Sequence, residues 1–285
     1  MKKKMMKAVV SMAMTAVVMT LPSCGTSNEY EAEAQGDTLR RLTVTFAVEG
    51  GTRSTSLTSE NLTDLWVFDY VGDNLVQTLH QTGTDDGFGS VSMSLKYGGH
   101  RLCFVASRGQ QPVVDSDAGT ITWERPSDTF WLSEDVNVVP GDGLSVSAVL
   151  RRVATRLRVC PIDIVTATMA KFVMEPATWY YGLDVRTGSG VSPMRKQREI
   201  AIPQSSVGQT MTCVIFGLSP SAGWSTDVSV SLLANDGTAL GHVDLHDAPF
   251  TQNVTTTFRG SLVEKAISSP VQINGDWEDD AVVNW

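Results

Sequence analysis

The sequence predicts an all-β protein built from antiparallel β-sandwiches, and three observations support this class. From residue 41 onward, apolar and polar residues alternate with a period of two, which is typical of half-buried strands. The clearest runs are Leu42–Val48, Val91–Leu95, Leu144–Leu150 and Asp227–Leu232. Clusters rich in Gly, Asp and Asn, typical of tight turns, lie at 71–74, 97–100, 140–143 and 235–238. No amphipathic helical pattern longer than two turns interrupts this arrangement.

The chain begins with a segment that resembles a bacterial lipoprotein signal peptide, residues 1–23. Four lysines precede an apolar run of 14 residues at 8–21, which is shorter than the roughly 20 residues that a membrane-spanning helix needs. Leu21 lies three residues before Cys24, with the small Ser23 between them, and this spacing resembles the lipobox. The resemblance implies that Cys24 is acylated and becomes the mature N-terminus. An ordinary signal peptide that ends near a cysteine is the alternative.

The charge of the remaining chain argues against nucleic acid as a partner. Removal of residues 1–23 takes away four lysines and no acid, which leaves 18 basic against 31 acidic side chains, a formal charge of −13. Phosphate backbones are bound by clustered Lys and Arg, and such a chain would be repelled. We interpret the densest basic stretches, 151–158 and 195–198, as solvated strand faces or rims. Residues 24–40 are polar and acidic, which predicts a lipidated flexible tether.

The 262 residues that follow the signal segment predict two domains, 41–150 and 151–285. A loop-like stretch at 135–143 precedes the long strand pattern that crosses this boundary. Besides Cys24, the chain has Cys103, Cys160 and Cys213, widely spaced and each within an apolar run. Their spacing fits neither a disulfide framework nor a zinc site, and we expect buried, inert thiols.

Motifs with catalytic or metal-binding spacing are missing from the sequence, so we expect no enzyme, no metal and no cofactor. His242 and His246 lie on one predicted strand face with Asp244, but about 13 Å would separate the two histidines, too far for one metal ion. The acidic run DSDAG at 115–119 lacks the later ligands of a calcium loop and is interpreted as a turn.

Several aromatic residues leave two interpretations open. They are Trp123, Trp131, Trp179, Tyr180, Tyr181, Trp277 and Trp285. Such residues can form a platform for sugar rings, as in a surface glycan-binding lipoprotein of a polysaccharide-uptake system. More often they close the core of a sandwich, and we favour that interpretation.

Four segments together resemble the fimbrillin-like lipoproteins of Bacteroidetes, which include major fimbrial subunits and anchor, accessory and tip proteins. They are the lipobox at Cys24, LWVFDYVGDNLV at 65–76, LRRVATRLRV at 150–159 and NVTTTFRGSL at 253–262, the last followed by Trp277. Each segment is degenerate, and it is their order and spacing over the chain that resemble the family.

The resemblance implies two transthyretin-like antiparallel β-sandwich domains in tandem and assembly by β-strand addition between subunits. In stalk subunits of the family, an arginine-specific protease removes the first strand, and a strand of a neighbouring subunit fills the groove. The corresponding first strand here carries Leu42, Val44, Phe46 and Val48 toward its groove. The best match to the cleavage position is Arg53, in the predicted loop GGTRST at 50–55, and Arg41 is a second candidate.

The sequence therefore predicts a structural subunit of a cell-surface fimbria that contributes to adhesion. We favour an anchor or accessory subunit over a stalk subunit. Its expected partners are other fimbrial subunits, the outer membrane through an N-terminal lipid such as palmitate, and a ligand on a host or bacterial surface. The glycan-binding lipoprotein is the alternative.

Overall fold

The computed structural model describes residues 39–50, 53–58, 60, 62–141, 143–264, 266–267 and 271–274. These residues form 21 β-strands and one turn of 3-10 helix at Gln204–Ser206, and they include no α-helix. The predicted all-β class is therefore confirmed. Nowhere in the described ranges is there a helix long and apolar enough to cross a bilayer.

Ten strands lie in the first half of the described chain, residues 39–152, and eleven in the second half, residues 154–274. The first ten are β1 Leu39–Gly50, β2 Arg53–Ser56, β3 Asp64–Val71, β4 Asn74–Thr82, β5 Ser90–Lys96, β6 Gly98–Ser107, β7 Gln110–Asp115, β8 Thr120–Arg125, β9 Thr129–Val138 and β10 Leu144–Arg152. The others are β11 Ala154–Pro161, β12 Met169–Pro176, β13 Trp179–Asp184, β14 Ser189–Met194, β15 Arg198–Ala201, β16 Cys213–Leu218, β17 Trp224–Ala234, β18 Ala239–Phe250, β19 Val254–Ser261, β20 Ala266–Ile267 and β21 Val271–Asn274.

The first half folds into two layers of strands around one apolar core. One layer has the order β5-β1-β10, with β2 paired to the end of β1, and the other has the order β9-β6-β3-β4. Alternate side chains of both layers point between them, among them Val44, Leu65 and Phe104. Arg151 and Arg152 of β10 pair with β9 and join the layers at one corner.

The second half repeats this arrangement. Its layers have the orders β16-β11-β19, with β20 and β21 added to the outer edge of β19, and β15-β12-β17-β18. In each half the first strand lies between an antiparallel neighbour, β5 or β16, and a parallel neighbour, β10 or β19. These two parallel pairs, β1–β10 and β11–β19, depart from the antiparallel arrangement that the sequence predicts. A parallel pair needs a long connection, and here all the intervening strands of the half supply it.

A sheet with strands from both halves lies at the seam between them. The hairpin β7–β8 of the first half and the hairpin β13–β14 of the second combine in the order β14-β13-β8-β7. A third apolar cluster, which includes Trp66, Trp123 and Leu183, packs against this sheet. The Nε1–H group of Trp131 donates a hydrogen bond across the seam to the carbonyl oxygen of Val185, at 2.7 Å. The limits 41–150 and 151–285 stay a prediction, and strands from both sides of residue 150 share this sheet.

Two arginines of the stretch at 151–158 are not solvated, so that interpretation is wrong for them. Arg156 is 8% exposed, and its Nε donates to Oγ1 of Thr255 at 3.0 Å. Arg152 donates from Nε to the carboxylate of Asp128 at 2.7 Å. Arg156 is buried because it lies on β11, which is an inner strand. Arg152 is held because it lies at the end of β10, where β10 joins the two layers of the first half.

The three cysteines within the described chain are free thiols. Cys103 and Cys213 are fully buried, as expected, and burial raises the pKa of both thiols. Cys160 is half-buried, because it lies on the outward side of β11 near the hydroxyl of Thr212.

Candidate assembly site: the first strand and its groove

The first strand, β1, is paired through its main chain on both edges. Along one edge, Leu42–Val48 runs parallel to β10. Along the other edge, Leu39–Thr45 is antiparallel to β5, and Ala47–Gly50 is antiparallel to β2. At the change of partner, the N–H group of Phe46 donates to the carbonyl of Gly89, at 3.0 Å. β1 is therefore an inner strand, and its removal would unpair both β5 and β10.

The side chains of β1 that face the core fill an apolar groove. Leu42, Val44, Phe46 and Val48 are at most 6% exposed. The ring of Phe46 meets that of Phe104 edge to face, with 5.1 Å between the centroids. The groove is closed at its sides by β5 and β10 and at its floor by β3 and β6. The four residues singled out in the sequence thus lie together in one groove of their own half.

The opposite face of β1 is polar and open to solvent. Arg41 and Thr45 are exposed, and Oγ1 of Thr43 lies 3.2 Å from Oγ of Ser92 on β5. The strand is therefore sharply amphipathic, with one apolar row toward the groove and one polar row outward.

Burial of the apolar row is a large part of what holds the first half together. Full burial of an aliphatic or phenyl side chain stabilises by about 1.5–3 kcal/mol, so four contribute roughly 6–12 kcal/mol. This is similar to the whole net stability of a typical domain, about 5–15 kcal/mol. A subunit that lost β1 would consequently need a replacement strand of the same pattern at once.

The two candidate cleavage positions differ in their surroundings. Arg53 does not lie in an open loop as predicted but begins β2, where it pairs with Gly50. β2 pairs with β1 alone among the described strands, so it forms an edge. Arg41 lies inside β1, paired with Ser94 of β5. A protease binds an extended segment with free edges, which favours Arg53 over Arg41. Cleavage at either position remains a prediction.

Some predicted features lie outside the described residues. They are the signal segment 1–23, Cys24 with most of the tether 24–40, and Trp277 and Trp285. Lipidation at Cys24 therefore remains a prediction.

The aromatic residues within the described chain belong to the cores and not to a surface platform. Trp179 and Tyr181 are each 1% exposed. The indole N–H group of Trp179 donates to the carbonyl oxygen of Phe216 at 2.8 Å, and its ring meets that of Phe250 at 4.9 Å. Tyr180 is half-buried against Trp224. Trp123 and Trp131 are buried at the seam. The core interpretation is confirmed for these residues.

The acidic and histidine motifs of the sequence have separate local partners. Nε2 of His242 lies 3.3 Å from Asp244, whereas Nδ1 of His246 lies 3.5 Å from Asp227. The pKa of Asp227 is lowered, first by the main-chain N–H group of Asp247. Within the described ranges, no group of three or more His, Cys, Asp or Glu side chains could hold a metal ion.

The DSDAG segment at 115–119 forms a turn that its own first side chain holds. The carboxylate of Asp115 accepts hydrogen bonds from the main-chain N–H groups of Asp117 and Ala118, at 3.1 and 3.0 Å. This agrees with the turn expected from the sequence.

The sequence analysis missed one buried polar pair, between β3 and β6. Nδ1 of His100 lies 2.7 Å from Oδ1 of Asp69, and Nε2 donates to the carbonyl of Lys96 at 2.9 Å. Both side chains are 3% exposed. Asp69 belongs to the segment at 65–76 that resembles the family, but nothing in the sequence near either residue indicates that they meet. The pair links β3 and β6, which are neighbouring antiparallel strands of one sheet, and the bond to Lys96 links His100 to the end of β5.

Comparisons with known proteins agree with this architecture. No protein-family model matches the chain, and no curated protein matches its sequence. A proposed polysaccharide-binding protein from Bacteroides thetaiotaomicron is 10% identical, with a TM-score of 0.53 over 78% of this chain and 92% of that one. A proposed cell adhesion protein from Parabacteroides distasonis is also 10% identical, with a TM-score of 0.52 over 84% and 100%.

A proposed adhesin from Bacteroides ovatus is 8% identical, with a TM-score of 0.51 over 78% of this chain and 87% of that one. Tip and anchor fimbrial proteins of Porphyromonas gingivalis are among the weaker matches, each 12% identical with a TM-score of 0.47. At these identities the likeness establishes the fold alone. The chain has the fold of Bacteroidetes proteins described as an adhesin, a cell adhesion protein and a polysaccharide-binding protein.

Proposed function

We propose that this protein is a structural subunit of a cell-surface fimbria, contributes to adhesion and has no enzymatic activity. The observation that carries the proposal is the position of β1, an inner strand whose apolar row fills a groove of its own half. Similarity of fold to Bacteroidetes proteins described as adhesins supports the same class.

If β1 is lost, as in a stalk subunit, assembly would proceed by β-strand addition at this groove, whereas in an anchor or accessory subunit that keeps β1 the groove would stay filled. A donor strand from a neighbouring subunit would replace the main-chain pairs that β1 makes with β5 and β10. Its apolar side chains would occupy the places of Leu42, Val44, Phe46 and Val48. The wide apolar groove explains why a donor is needed, because an empty groove would expose the core.

Within a fimbria we favour the role of an anchor or accessory subunit at the outer membrane, held by a lipid on Cys24. Such a subunit keeps β1, whereas a stalk subunit loses it by cleavage after Arg53. Arg53 lies on a strand that is paired with β1, which disfavours rapid cleavage in the folded monomer.

Mass spectrometry of the mature protein from cells tests this proposal. An acylated N-terminus at Cys24 supports the anchor, and an N-terminus at Ser54 supports a polymerised stalk subunit. A soluble monomer that begins elsewhere contradicts both. Cys24→Ser should release the protein from the membrane fraction, while Cys160→Ser, the matched control, should not. If Ser54 is found, Arg53→Lys should block processing and Arg41→Lys should leave it unchanged.

The alternative function is glycan binding by a surface lipoprotein. Burial of Trp179 and Tyr181 removes the aromatic platform on which this alternative depended. Affinity electrophoresis in gels that contain soluble polysaccharides tests it directly. Retardation that survives substitution of Tyr180 would require a binding surface other than this aromatic cluster.

A further inference from the structure

One edge of β10 is paired and the other is not. From Leu144 to Leu150 its main chain pairs with β1, and only Arg151 and Arg152 pair with β9. Among the strands that the structure describes, none pairs with the outer edge of Leu144–Leu150. An unpaired edge presents a row of main-chain donors and acceptors to which another strand can add.

In the second half, additional strands cover the edge that corresponds to the outer edge of β10. β19 is the counterpart of β10, because each lies beside the first strand of its half and runs parallel to it. The outer edge of β19 pairs antiparallel with β20 and β21. In the first half the chain passes from β10 through Val153 directly into β11, and no later strand that the structure describes returns to cover β10.

The edge of β10 also lacks the features that oppose pairing at the edges of β18 and β15. Leu144–Leu150 contains no charged residue and no proline, and its register with β1 is regular. By contrast, β18 carries Asp244 and Pro249, and its register with β17 shifts twice. β15 is only four residues long and carries Arg198 and Glu199. Charges, proline, bulges and short length all oppose edge-to-edge pairing.

The same segment is complementary to itself when antiparallel. If Ser147 lies opposite Ser147 of a second copy, Leu144 lies opposite Leu150 and Val146 opposite Ala148, all on the core side. On the outer side, Ser145 meets Val149, which is 45% exposed in the single chain. No like charges oppose each other, and half-buried Leu144 and Val146 gain apolar neighbours.

We infer that two copies of this chain pair antiparallel through the outer edges of β10, centred on Ser147. The layer β5-β1-β10 then continues into β10-β1-β5 of the second copy. This pairing keeps β1 in place, so it does not rest on the proposed function and differs from strand addition at the β1 groove.

Cysteine cross-linking of the full chain, purified in detergent, tests the register. Cα atoms that face each other in an antiparallel pair are about 4.5–5.5 Å apart, which suits a disulfide. Ser147→Cys should form a covalent dimer on mild oxidation. Ser145→Cys is the matched control on the same strand face, because about 14 Å along the strand would separate its two copies. The wild-type chain, oxidised in parallel, shows how much covalent dimer forms through the native cysteines alone.

A charge substitution tests the interface without a cross-link. Ser147→Lys places two like charges opposite each other and should weaken the dimer about tenfold or more in sedimentation velocity. Thr78→Lys, on the exposed face of the edge strand β4, is the control and should leave the dimer intact. Equal cross-linking of both cysteine variants, cross-linking of neither, or loss of the dimer in Thr78→Lys alone would overturn the inference.

Discussion

The two halves of the chain have the same strand order but protect their edges differently. In the second half, β20 and β21 cover the outer edge of β19, and Trp179 donates to the carbonyl of Phe216 on the edge strand β16. In the first half, β2 pairs only with β1 among the described strands, and none of those strands pairs with the outer edge of Leu144–Leu150 in β10. The same order of strands thus leaves different edges unpaired in the two halves.

The interiors differ as well. Both interiors hold buried polar side chains, Arg156 bonded to Thr255 in the second half and the pair Asp69–His100 in the first. The pair Asp69–His100 joins β3 and β6, and His100 also bonds to Lys96 at the end of β5. The buried polar contacts of the two halves therefore differ in kind, an arginine with a threonine in one and a histidine with a carboxylate in the other.

The largest loss of stability is expected from matched substitutions in the first strands of the two halves, β1 and β11. Val44→Asp in β1 and Val159→Asp in β11 each bury an unpaired carboxylate at a position that is fully buried. Each should lower the free energy of unfolding by more than about 4 kcal/mol. Urea unfolding followed by tryptophan fluorescence measures this loss.

Thr45→Asp, on the exposed face of β1, is the control for these two substitutions and should change stability by less than about 1 kcal/mol. A large loss in only one half would show that the two first strands are not equivalent.

The next largest loss of stability is expected from substitution of one of two aspartates on β3. Asp69→Asn breaks the buried pair with His100 and should cost about 3–5 kcal/mol. Asp64→Asn breaks a pair with His80, whose side chain is 40% exposed, and should cost less than about 1 kcal/mol. Both are measured by urea unfolding. Equal losses of unfolding free energy in the two variants would mean that the buried pair stabilises the first half no more than the exposed pair does.

A third substitution tests the seam that joins the halves. Gly188 has φ +67°, and an added Cβ would lie 2.5 Å from the ring of Trp131. Gly237 has φ +85° with no atom within 4 Å of its added Cβ. Both alanine variants carry the backbone cost of about 1–2 kcal/mol, and Gly188→Ala should cost about 1–3 kcal/mol more. Thermal unfolding of the two variants measures the difference, and equal melting temperatures would contradict tight packing at the seam.

The smallest effect is a difference in labelling rate. Burial raises the pKa of Cys103 in the first half and of Cys213 in the second, which lowers the thiolate fraction of both below that of a free thiol. In the folded protein iodoacetamide should label Cys160 faster than either of them, because Cys160 is half-buried and the other two are fully buried. Because the first half has bare edges, Cys103 should be labelled before Cys213 as urea increases. Peptide mass spectrometry gives the order, and the reverse order would show that the second half opens first.

Local pattern was enough to predict several of the strands. The alternating runs at 91–95, 144–150 and 227–232 lie within β5, β10 and β17, and the turns at 71–74 and 235–238 lie where strands reverse. The apolar row of β1 was predicted for the same reason, because alternation alone decides which side chains share a face.

Features that depend on distant pairing were missed. Arg53 lies in a strand because β1 is there to pair with it, and Arg156 is buried because β11 is an inner strand. The contact between Asp69 and His100 joins residues of two different strands. In none of these cases do the neighbouring residues in the sequence indicate the contact.

The sequence by itself determined the all-β class, the positions of several strands and the amphipathic first strand, because alternation with a period of two is visible in neighbouring residues. Only the tertiary structure decided which strands are neighbours: the parallel pairs β1–β10 and β11–β19, the shared sheet at the seam and the bare edge of β10. The main-chain donor and acceptor groups are the same in nearly every residue, so the sequence of a strand does not indicate which other strand it pairs with. Packing of the complete core selects the pairing, and the pairing leaves the edges at which this protein can meet others.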